Sequence, residues 1–153
     1  MKLINKFKSK NYNSRKLCKI KFIIIHYTAL TSCNEAISHL CNVKNKVSCH
    51  YLICQNGNIY YLVNETKRAW HAGVSYWDND TDINASSIGI EIDYSNTGNN
   101  NKYTKKIIKS LKQLIINLKK KYNIDEKNIL GHSDISPYRK TDPGYKFPWK
   151  NLH

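Results

Sequence analysis

The sequence predicts a single α/β domain in which a central mixed β-sheet is flanked by helices. Its 153 residues suit one domain, and 41% hydrophobic with 24% charged residues indicate a globular chain. Three patterns predict this class: a β-branched run at Phe22–Ile25, an alternating strand at Ser87–Asp93 and an amphipathic helix at Tyr103–Tyr122. In chain order the predicted elements are strand, helix, hairpin, strand, helix and strand, which gives a mixed sheet with helices packed on it.

The N-terminal segment lacks any hydrophobic period. Residues 1–19 are basic, so we expect a flexible basic arm, followed by one domain over residues 20–153. The arm has no apolar stretch long enough for a secretory signal, and no segment approaches a membrane-spanning length. The sequence therefore favours a cytoplasmic location, with the periplasm or cell envelope as the alternative.

The first half of the domain is predicted from short apolar runs. Ile20–Tyr27 is continuous and β-branched, which is typical of a strand buried on both faces. A helix is expected to begin after Ser32, whose hydroxyl would cap it, and to end near Lys44. Two short strands on either side of Asn56-Gly57 predict a hairpin, because Asn-Gly favours a tight turn.

The second half combines a long loop, a strand and a loop with a fixed path. Residues 64–87 show no lasting period, but their aromatic side chains argue against disorder and indicate a sticky surface or a groove. The strand that follows places Glu91 on the face opposite its isoleucines. After the long helix, the short strand Ile129–Leu130 leads into Gly131–Gly144, where Pro and Gly fix the path of the chain. A fixed loop after a strand is a usual place for catalytic groups.

The charge of the chain is compatible with several anionic partners. A formal net charge of +14 would suit nucleic acid, anionic lipid or an anionic cell-wall polymer. The lysines are spread over both ends and one helix, without a nucleic-acid-binding signature, and an ordinary solvated surface is the alternative.

The five cysteines are predicted to be free thiols. Their number is odd and no C-x-x-C pair occurs, which argues against a disulfide framework or a Cys-based zinc site. Several are expected to be buried as small apolar residues. They are Cys18, Cys33, Cys41, Cys49 and Cys54.

Three side chains far apart in the sequence form a candidate metal-ligand set. His26 and His132 each follow a predicted strand, and Asp142 lies in the fixed loop. Zinc in hydrolytic enzymes takes three such ligands and a water. Spacing alone is weak evidence because no H-x-x-x-H motif occurs, and each histidine could instead be a hydrogen-bonded core or surface residue.

Five blocks of the sequence occur in an order that resembles a known enzyme family. The blocks are Phe22–Ala29, Ser48–Ile53, Arg68–Ser75, Ser87–Ile92, and Gly131–Pro137 with Arg139–Gly144. Together they resemble the zinc-dependent N-acetylmuramoyl-L-alanine amidases of the type-2 family, which also contains phage-lysozyme amidases and peptidoglycan recognition proteins. The resemblance runs from about Lys21 to Trp149. It is most similar to the bacterial branch that includes anhydromuramyl-peptide recycling amidases and an envelope-bound relative.

The resemblance implies a cofactor, a reaction and a set of roles. Carried over by position, the Zn²⁺ ligands fall on His26, His132 and Asp142, and the catalytic pair falls on Glu91 and Lys140. The implied reaction hydrolyses the amide between N-acetylmuramic acid, or its 1,6-anhydro form, and L-alanine in peptidoglycan or soluble muropeptides. Glu91 would move a proton from water to the leaving amine, and Lys140 would stabilise the negative oxygen.

Two positions decide the branch of the family. Phage-type members carry Cys as the third ligand and a Tyr near the hairpin, where this chain has Asp142 and Cys49. The chain therefore fits the Glu/Lys branch, and Cys49 is expected to pack rather than react. Asp134 is expected to shape the loop or to support a ligand histidine.

The substrate groove is expected to be lined by Trp70, His71, Asn84 and His50. Core packing is the alternative for Trp70 and His71, and a structural role is the alternative for His50. Relatives often carry an Arg two residues before Asn84, where it can bind a peptide carboxylate. This chain has Asp82 there, so the specificity for the stem peptide is open.

Two other classes of function compete with the enzyme hypothesis. One is a non-catalytic peptidoglycan-binding module, which the presence of all five ligand and catalytic side chains disfavours. The other is a basic nucleic-acid binder. We expect peptidoglycan or (anhydro)muropeptides as partners, with no nucleic acid, no membrane span and no obligate protein partner.

Overall fold

A six-stranded mixed sheet forms the centre of the computed structural model, which describes residues 2–152. Met1 and His153, the outer ends of the two predicted ranges, lie outside the described residues. The strands are β1 (Leu3–Ile4), β2 (Tyr12–Ser14), β3 (Phe22–Tyr27), β4 (Tyr51–Ile53), β5 (Ile59–Tyr61), β6 (Lys67–Ala69), β7 (Ser87–Ile92) and β8 (Ile129–Gly131). The α-helices are α1 (Cys33–Cys41), α2 (Ile83–Ser86), α3 (Lys105–Tyr122) and α4 (His132–Ile135). Short 3-10 turns lie at Val43–Asn45, Glu126–Asn128 and Trp149–Asn151.

The order of the strands brings three chain segments to one edge of the sheet. The main sheet has the order β1-β5-β4-β7-β3-β8, while β2 and β6 form a separate antiparallel pair. Strands β7, β3 and β8 are parallel neighbours, with His26 directly opposite Glu91. Because the carboxyl ends of parallel strands share one edge, the loops after these strands meet there. The predicted α/β class with a mixed sheet flanked by helices is confirmed.

Both faces of the sheet are covered, as the apolar runs require. Helix α3 packs its apolar side on one face, against isoleucines of β3 and β7. The opposite face carries a smaller cluster around Phe22, Ile24 and Leu130, which α4 and the loop before α2 cover. The α3 residues that become buried are Ile107, Leu111, Leu114, Ile115 and Leu118.

The boundaries of the predicted elements have local causes. Thr104 starts α3, because its hydroxyl accepts the Ile107 N–H, and Asn123 ends it in the left-handed region. Ser32 caps α1, whose Glu35 carboxylate accepts the Thr31 N–H. Gly57, with φ 85°, completes the predicted hairpin turn.

The N-terminal segment corrects the expectation of a flexible arm. Strand β1 pairs with β5 and β2 pairs with β6, so residues 2–19 run across the domain. The buried Ser9, Asn11 and Arg15 side chains donate hydrogen bonds to carbonyls of other segments. Exposed lysines alternate with these anchors, and local periodicity does not detect polar anchors.

The cysteines correct a second expectation. Cys33, at the start of α1, and Cys54, just after β4, form a disulfide with their Cα atoms 5.6 Å apart. The other three cysteines are free, and Cys49 is fully buried, as expected for a packing residue. The pairing depends on α1 lying beside the end of β4, which the spacing of the residues does not reveal.

Within residues 2–152, none of the helices combines the length and the apolar character that crossing a membrane requires.

Candidate metal centre and active-site cleft

Three buried side chains converge at the carboxyl edge of the sheet. The Nδ1 atoms of His26 and His132 lie 2.9 Å apart, and Oδ2 of Asp142 is 3.0 Å from the first and 3.2 Å from the second. All three residues are at most 7% exposed. Side chains separated by more than a hundred positions in the sequence therefore meet within hydrogen-bond distance.

Each of the three is positioned by its element. His26 is the penultimate residue of β3, and His132 is the first residue of α4, directly after β8. Asp142 is held beside them because its carbonyl accepts the Ser133 N–H at 2.9 Å. Asp134 shapes the same turn, as expected, since its carboxylate accepts the Gly131 N–H at 2.7 Å.

The donor set fits a divalent metal such as zinc. Two imidazoles and a carboxylate are ligands that zinc accepts, and ligands about 2.0–2.1 Å from a tetrahedral metal lie about 3.3 Å apart. The observed triangle, with edges of 2.9, 3.0 and 3.2 Å, is close to that size. The Nε2 atom of His132 lies 2.9 Å from the Ala72 carbonyl, which can only accept, so Nε2 carries the proton and Nδ1 is left as the ligand atom.

Electrostatics keep the centre ready for a cation. Burial lowers the pKa of His26 to about 4, so its imidazole is neutral at pH 7. Burial acts to raise the pKa of Asp142, but the neighbouring His132 and His26 side chains outweigh it and hold that pKa below its ordinary value. A neutral His26 imidazole beside an ionised Asp142 carboxylate is the combination of protonation states that metal binding requires.

Glu91 lies next to this centre with part of its carboxylate unpartnered. Within residues 2–152, its Oε2 atom is buried and has no hydrogen-bond partner. Burial raises the pKa of Glu91 to about 8; the negative charge of Asp142 adds to this rise, and Lys140 opposes it. A perturbed carboxyl in a cleft is a functional-site signal.

The cleft above the centre has a volume of about 400 Å³. His26, His132, Asp142, Glu91 and Lys140 all line it, so the structure brings together all five predicted ligand and catalytic residues. A larger groove of about 860 Å³ on the other side of Arg139 shares that residue with the cleft and contains no cluster of metal-ligating groups among the described residues.

Two of the four predicted substrate residues line the cleft. Trp70 is half-buried there, and its indole Nε1 donates to Asn13 at 3.1 Å. His71 lines the cleft as well, but its Nδ1 lies 3.0 Å from Nε2 of His26, so it also contacts a candidate ligand.

The other two predicted substrate residues, His50 and Asn84, lie outside the lining of the cleft. His50 has no exposed surface; its ring contacts Arg15 and the Lys67 carbonyl and accepts the Gly89 N–H. Asn84 is buried below the cleft. His50 and Asn84 do not line the cavity, and their contact with substrate stays a prediction.

Asp82, which stands where relatives often carry a basic residue, is paired with an arginine of this chain. Asp82 caps α2 and forms a two-pronged ion pair with Arg68, whose Nη2 lies 2.7 Å from Oδ1. A carboxylate already paired with Arg68 takes the position where relatives often have an arginine.

Three residues without a predicted role also shape the site. Arg139 donates to the Ala72 and Val74 carbonyls, Arg15 supports His50, and the Ser87 hydroxyl contacts Nε2 of His71 at 3.1 Å. The one available signal for the last contact was Gly89, since a glycine inside a β-branched strand marks the close approach of another group.

Comparison with known proteins shows that the chain belongs to a known protein family. The family model Amidase_2, described as N-acetylmuramoyl-L-alanine amidase, matches residues 16–145. The chain is 38% identical to the N-acetylmuramoyl-L-alanine amidase AmiD of Escherichia coli (strain K12), over 88% of this chain and 52% of that protein. It is 43% identical to the 1,6-anhydro-N-acetylmuramyl-L-alanine amidase AmpD of Haemophilus influenzae, over 69% of this chain and 56% of that protein. The chain thus spans about half the length of these curated relatives.

Solved structures share the fold over nearly the whole chain. A selenomethionine AmpD derivative superposes with a TM-score of 0.83 at 27% identity, covering 99% of this chain and 91% of that one. AmpDh3 from Pseudomonas aeruginosa in complex with anhydromuramic pentapeptide superposes with a TM-score of 0.76 at 36% identity, covering 95% of this chain and 61% of that one. AmiD from E. coli with the substrate anhydro-N-acetylmuramic acid-L-Ala-D-gamma-Glu-L-Lys superposes with a TM-score of 0.76 at 34% identity, covering 96% of this chain and 60% of that one.

Proposed function

Since the chain belongs to the N-acetylmuramoyl-L-alanine amidase family, we propose that it hydrolyses the amide between N-acetylmuramic acid and L-alanine in peptidoglycan or soluble anhydromuropeptides. The bond is the one that the names of its relatives specify. The observation that supports this most is the convergence of His26, His132 and Asp142 beside the unpartnered carboxylate of Glu91.

We propose Zn²⁺ as the cofactor, held by the two Nδ1 atoms and the Asp142 carboxylate. When bound, zinc polarises the scissile carbonyl and lowers the pKa of a water from about 15.7 to about 7. The chain supplies the other functions: it orients the amide in the cleft, moves the proton and stabilises the charge that develops.

Glu91 is the proton carrier in this proposal. Its Oε2 has no partner on the described part of the protein, so that oxygen is available to accept a proton from the attacking water. The same carboxyl then delivers the proton to the nitrogen of the leaving amine. In the metal-free protein burial raises the pKa of Glu91 to about 8, and a bound cation would lower it towards the operating pH, where a general base works best.

Lys140 stabilises the oxygen that becomes negative as the amide is attacked. It lines the cleft with Glu91, and its charge opposes the rise of the Glu91 pKa, which indicates that the two groups lie close. A cation in a partly buried cleft acts on the developing charge more strongly than a cation in water.

The test begins with the metal. Purified protein is expected to bind about one zinc ion per chain, to lose peptide release on chelation and to regain it when zinc is restored. Intact sacculi and soluble anhydromuropeptides, assayed side by side, identify the preferred substrate by the rate of stem-peptide release. Muropeptide bound by zinc-loaded protein but recovered intact would overturn the hydrolase proposal in favour of a binding module.

For the compartment, the cytoplasm stays the prediction and the cell envelope the alternative. Disulfides persist in oxidising compartments and are rare in the cytosol. Mass spectrometry of alkylated protein, taken from each cell fraction, would report both the location of the chain and the state of Cys33 and Cys54.

A further inference from the structure

A chain of hydrogen bonds runs from the candidate ligand His26 into the protein. Nε2 of His26 lies 3.0 Å from Nδ1 of His71, and Nε2 of His71 lies 3.1 Å from the Ser87 hydroxyl. The same hydroxyl lies 2.5 Å from the Ile83 carbonyl. Four groups from three elements and a loop thus form one continuous path.

The last group fixes the direction of every bond in this path. A carbonyl only accepts, so the single proton of the Ser87 hydroxyl is donated to Ile83. The hydroxyl oxygen must then accept from Nε2–H of His71. A neutral imidazole carries one N–H, so Nδ1 of His71 accepts from Nε2–H of His26, and Nδ1 of His26 is left without a proton.

Backbone contacts fix the position of the His71 ring. A Cβ added at Gly89 would lie 2.4 Å from Cγ of His71, so only glycine admits the ring over β7. The Asn84 amide oxygen accepts both the His71 N–H at 2.9 Å and the Ala72 N–H at 2.8 Å. Because the Ala72 carbonyl is also the partner of His132, Asn84 anchors the segment that orients both histidines.

We propose that Ser87 and His71 are positioning residues that set the tautomer of His26 and so present its Nδ1 atom to the metal. This rests on the proposed function, because it takes His26 to be a metal ligand. Neither residue is a catalytic residue here, and each acts through the imidazole that it orients. Groups that support metal ligands in this way typically change metal affinity by about 10–100-fold when they are removed.

The experiment compares two buried neighbours. Ser87→Ala removes the hydroxyl that accepts from His71. Ser86→Ala removes an equally buried hydroxyl that lies 3.4 Å from the Asp82 carbonyl and is no part of the path. Zinc affinity is measured by competition with a chromophoric chelator. The tautomer of His26 is read in the metal-free protein from imidazole ¹⁵N shifts, assigned with a His26 variant.

A substitution of His71 provides a second comparison. His71→Asn keeps a side-chain oxygen near the position of Nδ1, which can still accept from His26, whereas His71→Ala keeps nothing. We expect the Asn variant to bind zinc more tightly than the Ala variant, although both lose the ring.

The results separate the positioning role from the proposed function. We expect Ser87→Ala to weaken zinc binding about tenfold and to shift His26 away from its Nε2–H form, while Ser86→Ala stays within about twofold of wild type. Equal zinc affinity in the two serine variants, with an unchanged His26 tautomer, would overturn the proposal. If wild-type protein bound no zinc, the proposed metal site would be wrong. The tautomer of His26 in the metal-free protein would still test the role of Ser87.

Discussion

Two glutamates near the central sheet show how the same side chain serves different ends. Glu65 is 5% exposed, and its carboxylate accepts hydrogen bonds from Tyr51, Tyr122 and Lys121. Burial acts to raise its pKa, but these three donors outweigh it, so the pKa of Glu65 is lowered. Glu91, by contrast, keeps a buried oxygen without a partner among residues 2–152, and its pKa is raised to about 8.

The difference supports a structural role for Glu65 and the catalytic role proposed for Glu91. A buried carboxylate that receives several donors holds elements together, here the segment after β5 and the end of α3. A buried carboxylate without donors costs stability and is retained where it carries out chemistry. The four predictions below test this contrast, beginning with the largest expected effect.

Exchange of the carboxyl for an amide should lower activity at Glu91 and leave it unchanged at Glu65. Glu91→Gln is expected to lower the rate of amide hydrolysis by about 10²–10⁴-fold, because it removes the proton carrier. Zinc content should stay at the wild-type level. The readout is stem-peptide release from anhydromuropeptide, with Glu65→Gln as the control that retains activity. Comparable peptide release by Glu91→Gln and wild type would remove the role given to Glu91.

The lysine beside each glutamate extends the comparison. Lys140→Ala is expected to lower the rate constant by about 10²–10³-fold, since it removes the stabilising donor for the negative oxygen. Lys121→Ala should leave the rate unchanged, because the Lys121 side chain is 61% exposed and such ion pairs contribute little. Steady-state kinetics of both variants check this, and a similar loss in the two would contradict the contrast.

Stability should fall when the Glu65 carboxylate is replaced by an amide. Glu65→Gln is expected to lower the free energy of unfolding by about 1–3 kcal/mol, because it weakens hydrogen bonds to a buried charged acceptor. Urea unfolding followed by circular dichroism measures the change. If Glu65→Gln were as stable as wild type, the three hydrogen bonds to the Glu65 carboxylate would add no stability beyond what hydrogen bonds to water provide in the unfolded state.

The pH dependence of the metal-free protein should show the raised pKa of Glu91. Between its ordinary pKa of 4.5 and about 8, the unfolded state loses a Glu91 proton that the folded state keeps, so the contribution of Glu91 to stability falls as the pH rises. The expected slope is at most about 1.4 kcal/mol per pH unit. Glu91→Gln lacks this contribution, so the stability difference between the variant and wild type should grow in favour of the variant as the pH rises. Parallel curves for the two proteins between pH 5.5 and 7.5 would contradict it.

Prediction from the sequence succeeded where one segment is enough. The continuous run before His26, the alternation around Glu91 and the period of α3 each report how a segment is buried, so their elements were predicted to within a few residues. The resemblance, carried by ordered blocks, then supplied the ligand and catalytic hypotheses at residues that the structure brings into one cleft. Polar segments were predicted less well: the anchored N-terminal segment looked like an arm, and β6 and α2 lay within an apparent loop.

What the sequence determined by itself is the set of elements and the residue types at their ends. Only the tertiary structure decided that Cys33 meets Cys54, that Asn84 and His50 support the cleft from below, and that Ser87 reaches His26 through His71. The physical reason is that periodicity records whether a residue faces the core, whereas partners depend on strand order and register. Those are fixed by the packing of the whole domain.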